Sequence, residues 1–141
     1  MPRQLVMLLI FGLFAVVSPA QETKNEQGNP PAEAVNRKNP IAPTASSIAA
    51  GKKVFTVDCV MCHGEQGDGK GEVAASMNLN PPDFRDETAM KKFTDGELFD
   101  VINNGKGGMP PEGKRASANQ IWDLVNYVRL FAKKTPPPAA K

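Results

Sequence analysis

Cys59-Val60-Met61-Cys62-His63 is a C-x-x-C-H, the spacing that attaches c-type haem. Two thiols three residues apart on one turn can each add across a haem vinyl group. The His that follows directly presents its imidazole to the iron from the same side. Residue counts sharpen the reading. The chain has two Cys and one His, all inside this stretch. There is one haem site at most, and a second His cannot supply the other axial ligand. The sixth ligand is then Met, Lys, another weak donor, water or nothing.

Two plainer readings compete. A C-x-x-C can be a redox dithiol, but that sits in a β-α-β setting, and no alternating strand pattern surrounds this one. It can also be half of a structural zinc site, but such sites take four ligands, and two Cys and one His leave the set short.

Outward from the motif, the upstream residues predict a helix over about 48–61, capped by Ser46 or Ser47, with Val54, Phe55 and Val57 on its inner side. Downstream, Gly64, Gly67, Gly69 and Gly71 make a tight loop that lets backbone pass close to the cofactor. Ala74 to Met77 suits a short helical turn, and Leu79-Asn80-Pro81-Pro82-Asp83-Phe84 is extended by its prolines. A carbonyl of this proline segment is the natural acceptor for the ring N–H of an iron-bound His63. Residues 86–93 suggest a short helix. Thr94 opens another, with Glu97 completing a capping box. Asn103-Asn104-Gly105 closes it with residues that tolerate left-handed angles.

Next comes Gly105-Lys106-Gly107-Gly108-Met109-Pro110-Pro111. A Met set between glycines and prolines has no helix or strand to pack in, but it makes sense as a thioether donor to iron. The rival is Met77, since Met61 lies inside the motif and Met90 falls on a charged short helix; Met is in general more often a core filler than a ligand. Ser117 caps the last helix, with Gln120 in a second capping box. Ile121, Leu124, Val125, Val128 and Phe131 or Ala132 recur at helical spacing, with Trp122 and Tyr127 adding bulk.

The ends read differently. Residues 1–20 predict a secretory signal: Arg3, an apolar run from Leu5 to Val17 broken only by Gly12, and the small residues Ser18-Pro19-Ala20. The run is shorter than the roughly 18–20 residues of a spanning helix, which favours cleavage over a retained anchor. Residues 21–43 read as a disordered Pro-rich linker and residues 135–141 as a disordered tail. One domain remains, residues 44–134. It holds 12 Lys+Arg and 12 Asp+Glu, a difference of zero, which argues against nucleic acid as a partner.

With these residues in view, the domain resembles a small class I cytochrome c, an all-α fold of 3–5 helices around one haem, its N- and C-terminal helices crossing. It is most similar to monohaem cytochromes related to the third subunit of cbb3-type oxidases and to cytochrome domains attached to periplasmic dehydrogenases. The resemblance implies thioethers at Cys59 and Cys62, with His63 as proximal and Met109 as distal iron ligand. It implies that Gly51 and Phe55 meet Tyr127 where the terminal helices cross, and that Pro81 or Pro82 receives the His63 ring N–H. The expected function is one-electron transfer rather than catalysis, by a monomeric periplasmic or extracellular protein. It would meet redox partners at an exposed haem edge and touch a membrane only if the signal is retained. The alternative is a fixed haem subunit of a larger periplasmic oxidoreductase: an oxidase, nitrite reductase or alcohol dehydrogenase. A third reading, an enzyme or gas sensor in which Met109 dissociates, lacks a distal acid–base group other than Glu112.

Overall fold

Phe55 and Gly51 explain why two distant parts of the chain cross. The structure is a computed structural model describing residues 30–134. The expected signal, the first part of the linker and the C-terminal tail lie outside the described residues. Seven α-helical segments follow one another: α1 (Ala32–Asn36), α2 (Ala45–Val54), α3 (Val60–His63), α4 (Glu72–Ser76), α5 (Glu87–Met90), α6 (Asp95–Asn104) and α7 (Ala118–Lys134). A π-helical turn, Phe55–Cys59, joins α2 to α3. The sole β feature among the described residues is an isolated bridge between Lys106 and Met109. The fold is all-α, with more helical segments than the 3–5 expected. The excess comes from α1 and from the division of the N-terminal helix by the π turn.

The N-terminal helix starts earlier than its serines suggest. Thr44 is the cap, its side chain accepting from the Ser47 amide. Ser47 looks inward instead, donating to Asp123 Oδ1 at 2.6 Å and accepting from Asn126 at 2.9 Å. α2 then crosses α7 at Gly51. A β-carbon there would lie 2.1 Å from the Asp123 carbonyl oxygen, so only Gly permits this approach. One turn on, Phe55 is 1 % exposed and its ring packs on Tyr127 at 5.4 Å and Phe131 at 5.1 Å between centroids. Val57 departs from expectation: it is exposed, because two residues along a helix from Phe55 is the opposite face.

α7 supplies most of the core: Ile121, Trp122, Leu124, Val125, Tyr127, Val128, Phe131 and Ala132 are all buried. Both capping boxes form, Thr94 with Glu97 at α6 and Ser117 with Gln120 at α7. Phe99 of α6 stacks on Trp122 at 4.2 Å. Arg129 reaches from α7 to Asp95 Oδ1 (2.9 Å) and to the carbonyls of Met90 (2.7 Å) and Phe93 (2.5 Å). It thereby ties the α5–α6 junction to the core.

Residues 30–43 correct the expected boundary of the linker. They form an ordered strap. Ala34 is buried and α1 packs on α6, where a β-carbon at Gly96 would lie 2.0 Å from the Ala34 carbonyl. Arg37 lies over the Phe99 ring at 5.4 Å. Asn39 donates to the Trp122 carbonyl (3.1 Å) and to Asn126 Oδ1 (2.9 Å), while Asn126 donates to the Ile41 carbonyl (3.0 Å). The segment's polar composition suggested too little to bury. Specific amide hydrogen bonds anchor it instead.

Candidate haem site

Phe55, Cys59, Cys62 and His63 fall at i, i+4, i+7 and i+8, one face of a helical run. All four line a single cavity of about 820 Å³. The same cavity is lined by Leu98, Val101 and Ile102 of α6, by Met109 and Pro110, by Pro81, Pro82 and Phe84, and by Leu124 and Val128 of α7. The volume falls within the roughly 300–1,000 Å³ of sites that enclose a cofactor-sized ligand.

The Met109 loop is held in shape by its backbone. Lys106 and Met109 exchange two hydrogen bonds, Lys106 N to Met109 O at 3.1 Å and Met109 N to Lys106 O at 3.0 Å. They enclose Gly107-Gly108, with Gly107 at φ +57°, a conformation that favours glycine. A β-carbon on Gly108 would meet the Leu79 side chain at 2.6 Å. The methionine loop and the proline segment therefore touch at the cavity rim. Met109 itself is partly buried against the core.

Of the other methionines, Met77 is exposed and is not among the cavity-lining residues. Met61 is exposed too, on the outer side of the attachment helix. Met90, set aside in the sequence as lying on a charged short helix, is 2 % exposed and lines the cavity. Asp86 caps its helix, and the charged neighbours face outward while Met90 turns in.

His63 is buried, and burial holds its imidazole below the ordinary histidine pKa, so the ring is neutral at pH 7. Phe84 stacks on it at 4.6 Å with an interplanar angle of 17°. The only sign of that contact in the sequence is an aromatic closing the proline segment. The ring Nδ1 is buried and has no hydrogen-bond partner. The expected bond to Pro81 or Pro82 is thus not formed; the Pro81 carbonyl lies against Gly69 instead, 2.5 Å from where a β-carbon would be. An unsatisfied buried ring nitrogen costs about 1–3 kcal/mol, and none of the described residues supplies the acceptor that an iron-bound histidine normally has for it.

The cysteines are unbridged and partly buried. Burial first, then the charges of Glu112 and Asp58, push the Cys59 thiol up to about 12, with Arg115 opposing. Cys59 is accordingly a neutral thiol. Among the described residues no group of three or more His, Cys, Asp or Glu is placed to hold a metal ion. Two thiols, a neutral imidazole and a thioether lining one largely apolar cavity fit haem c.

Glu112, Arg115 and Asp58 complete the wall beside Cys59. Arg115 donates to both carboxylate oxygens of Glu112, Nε to Oε1 at 3.1 Å and Nη2 to Oε2 at 2.5 Å. The same Nη2 lies 3.8 Å from Asp58 Oδ1. Glu112, the acid–base group that the sequence places near Met109, is thus paired with Arg115. Their three-residue spacing was the available signal for a pair.

Comparison with known proteins agrees with this geometry. Residues 46–128 match the family described as cytochrome c oxidase, cbb3-type, subunit III. Cytochrome c6 of Gloeothece citriformis is 36 % identical over 93 residues, covering 64 % of this chain and 76 % of that one. Cytochrome c6 of Leptolyngbya boryana is 35 % identical over 89 residues and is covered to 98 %. The cbb3-type cytochrome c oxidase subunit FixP of a Bradyrhizobium is 35 % identical over 82 residues, of which the chain spans 26 %. Among solved structures, a chain of the Kuenenia stuttgartiensis reducing HAO-like protein complex superposes with a TM-score of 0.56 at 28 % identity, over 65 % of this chain and 46 % of that one. The KustC0563 c-type cytochrome superposes with a TM-score of 0.52 at 27 % identity and is covered to 95 %. The chain therefore belongs to the cbb3-type subunit III family of class I c-type cytochromes, and it is a monohaem haem c protein of electron transfer.

Proposed function

We propose that this protein is a one-electron carrier whose haem is held by Cys59 and Cys62 through thioethers and ligated by His63 and Met109. The observation that carries the reading is that all four side chains line one cavity. Haem c, when bound, supplies an iron that cycles between Fe(III) and Fe(II), and a methionine ligand favours the reduced form.

The chain's own residues do the rest. Phe84 fixes the plane of the His63 ring by stacking, and burial keeps that ring unprotonated and able to donate its lone pair. The Lys106–Met109 bridge fixes the loop that brings the thioether to the cavity. With His63 and Met109 both holding the iron, the haem would offer no open position to a substrate. Glu112, the group near Met109 that acid–base chemistry could use, is committed to Arg115 by two hydrogen bonds. Electrons pass at the haem edge, through small transient contacts with redox partners. Residues 1–20 carry the expectation of export to the periplasm or beyond, and no helix among the described residues is long and apolar enough to cross a membrane.

The test is the absorption spectrum of haem-matured protein. Ferric wild type shows the weak long-wavelength band of an iron–thioether bond. Met109→Ala loses it, and Met90→Leu and Met77→Leu keep it. Loss in Met90→Leu with survival in Met109→Ala moves the ligand to Met90. Purification at native abundance separates a monomeric carrier from a subunit that stays with a larger complex.

A further inference from the structure

The wall beside Cys59 holds an arrangement that cofactor attachment and ligation do not use. Glu112 is 5 % exposed, the only carboxylate in the buried class among the described residues. Its backbone is pinned, the amide donating to the Ile102 carbonyl at 2.9 Å and the carbonyl accepting from the Arg115 amide at 2.8 Å. Its side chain is gripped at both oxygens by Arg115, whose Nη2 also lies 3.8 Å from Asp58 Oδ1. All three line the cavity. Two carboxylates and one guanidinium sum to a net charge of −1. Glu112 is buried while the Arg115 side chain is 54 % exposed, so water screens the guanidinium more than the carboxylate and the pair is weak support for stability. A buried carboxylate held in place acts on another charge nearby with less screening than an exposed one.

We propose that the Glu112–Arg115–Asp58 cluster sets the reduction potential of the bound haem, its net negative charge stabilising Fe(III) and holding the potential below the value that the apolar cavity and its ligands would otherwise give. When one electron enters from a redox partner, the charge on the haem iron falls by one. A negative group at the wall opposes that fall, and a positive one favours it. The cluster lines the same cavity as Cys59; burial chiefly, and after it the charges of Glu112 and Asp58, push that thiol up, with Arg115 opposing. Glu112 and Arg115 are positioning residues in this account, touching neither the iron nor its ligands. The inference rests on the haem c reading and is independent of whether Met109 or Met90 is the distal ligand.

The experiment is spectroelectrochemical titration of haem-matured wild type, Glu112→Gln, Arg115→Gln and Asp58→Asn. Glu112→Gln keeps the shape and removes the charge. It is expected to raise the Fe(II)/Fe(III) ratio at fixed poise on the order of tenfold, an upward shift of about 59 mV for a one-electron couple. Asp58→Asn shifts upward by less, being partly exposed, and Arg115→Gln does not shift upward. Mere loosening of the wall would move Glu112→Gln and Arg115→Gln in the same direction. The proposal is overturned if Glu112→Gln fails to rise or if both variants rise. Should Glu112→Gln fail to take up haem, Asp58→Asn decides: a rise supports the cluster and no rise overturns it. Absence of the iron–thioether band in wild type would overturn the methionine reading alone, because the potentials are still measured.

Discussion

His63 is a residue asked to be buried, neutral and incompletely hydrogen-bonded at once, and its neighbours make that tolerable. Phe84 covers one ring face, and Gly64, in the left-handed region at φ +75°, turns the chain away directly after it. Phe84→Ala is therefore expected to leave attachment intact and weaken the hold on the ring, read as an iron–thioether band that disappears at lower temperature than in wild type. A second residue-scale prediction concerns Asp83, on the proline segment. The Arg85 guanidinium, bonded at 2.9 and 2.7 Å, holds its carboxyl below the usual carboxylate range. The folded pKa is depressed, so the pair's contribution is present above the ordinary carboxylate pKa and is lost as pH falls through the folded value. Arg85→Gln should move the Asp83 titration upward, read by NMR, and flatten the acid limb of the stability curve slightly, as for any exposed pair. Single residues were unevenly legible. The motif marked Cys59, Cys62 and His63 as candidates because covalent chemistry would fix their spacing, and Met109 stood out as a candidate because nothing else explained a thioether among glycines and prolines; all four line the cavity. Phe84, Met90 and Glu112 were not legible as cavity residues. Their roles depend on where the proline segment and the α5 turn fold back, which no local pattern encodes.

At the scale of elements, the α2–α7 crossing fixes the frame in which the cavity exists. Gly51 has no tolerance: a β-carbon would meet the Asp123 carbonyl oxygen at 2.1 Å and the Leu124 amide nitrogen at 2.9 Å, both backbone, so the helices themselves must part. Gly51→Ala is expected to destabilise the haem-loaded protein by about 1–3 kcal/mol, the usual range for overpacking. Phe55→Ala, at 1 % exposure between Tyr127 and Phe131, is expected to cost about 3–5 kcal/mol. Denaturant midpoints of the two variants against wild type check both figures. These contacts were legible, since the spacing of Gly51, Phe55 and Tyr127 is that of the family the domain resembles, and α7 carries a strong 3.6-residue stripe. The π turn was not. Phe55–Cys59 has ordinary helix-forming composition, and its wider winding appears as the Val60 amide bonding back to the Phe55 carbonyl. It lies immediately before the attachment site, where such insertions commonly occur.

Across the whole molecule, the unexpected part is the strap of residues 30–43, all of it outside the segment 46–128 that matches the family. It fastens α6 to α7 from the outside: Ala34 sits against Gly96, Arg37 over Phe99, and Asn39 bonds to Trp122 and Asn126 of α7. Composition hid it, because a segment with few apolar residues gives no periodic signal, and amides reveal nothing of their partners in sequence. The strap nevertheless bears on the cavity only at second hand. The cavity-lining residues begin at Phe55, and the strap touches α6 and α7 on other faces. A variant in which Ala20 is joined directly to Ala42 should therefore separate stability from electron transfer. It loses the two Asn39 bonds and the Asn126–Ile41 bond, at about 1 kcal/mol each. Its melting temperature should fall by about 10 °C or more, since each kcal/mol shifts a domain of this size by about 4–8 °C. Asn39→Ala should reproduce part of that fall. Haem attachment, the iron–thioether band and the reduction potential should stay at wild-type values. A potential that moved with the strap would mean that α6 shifts when unfastened and carries Leu98, Val101 and Ile102 with it. The strap would then belong to the haem site as well as to the frame around it.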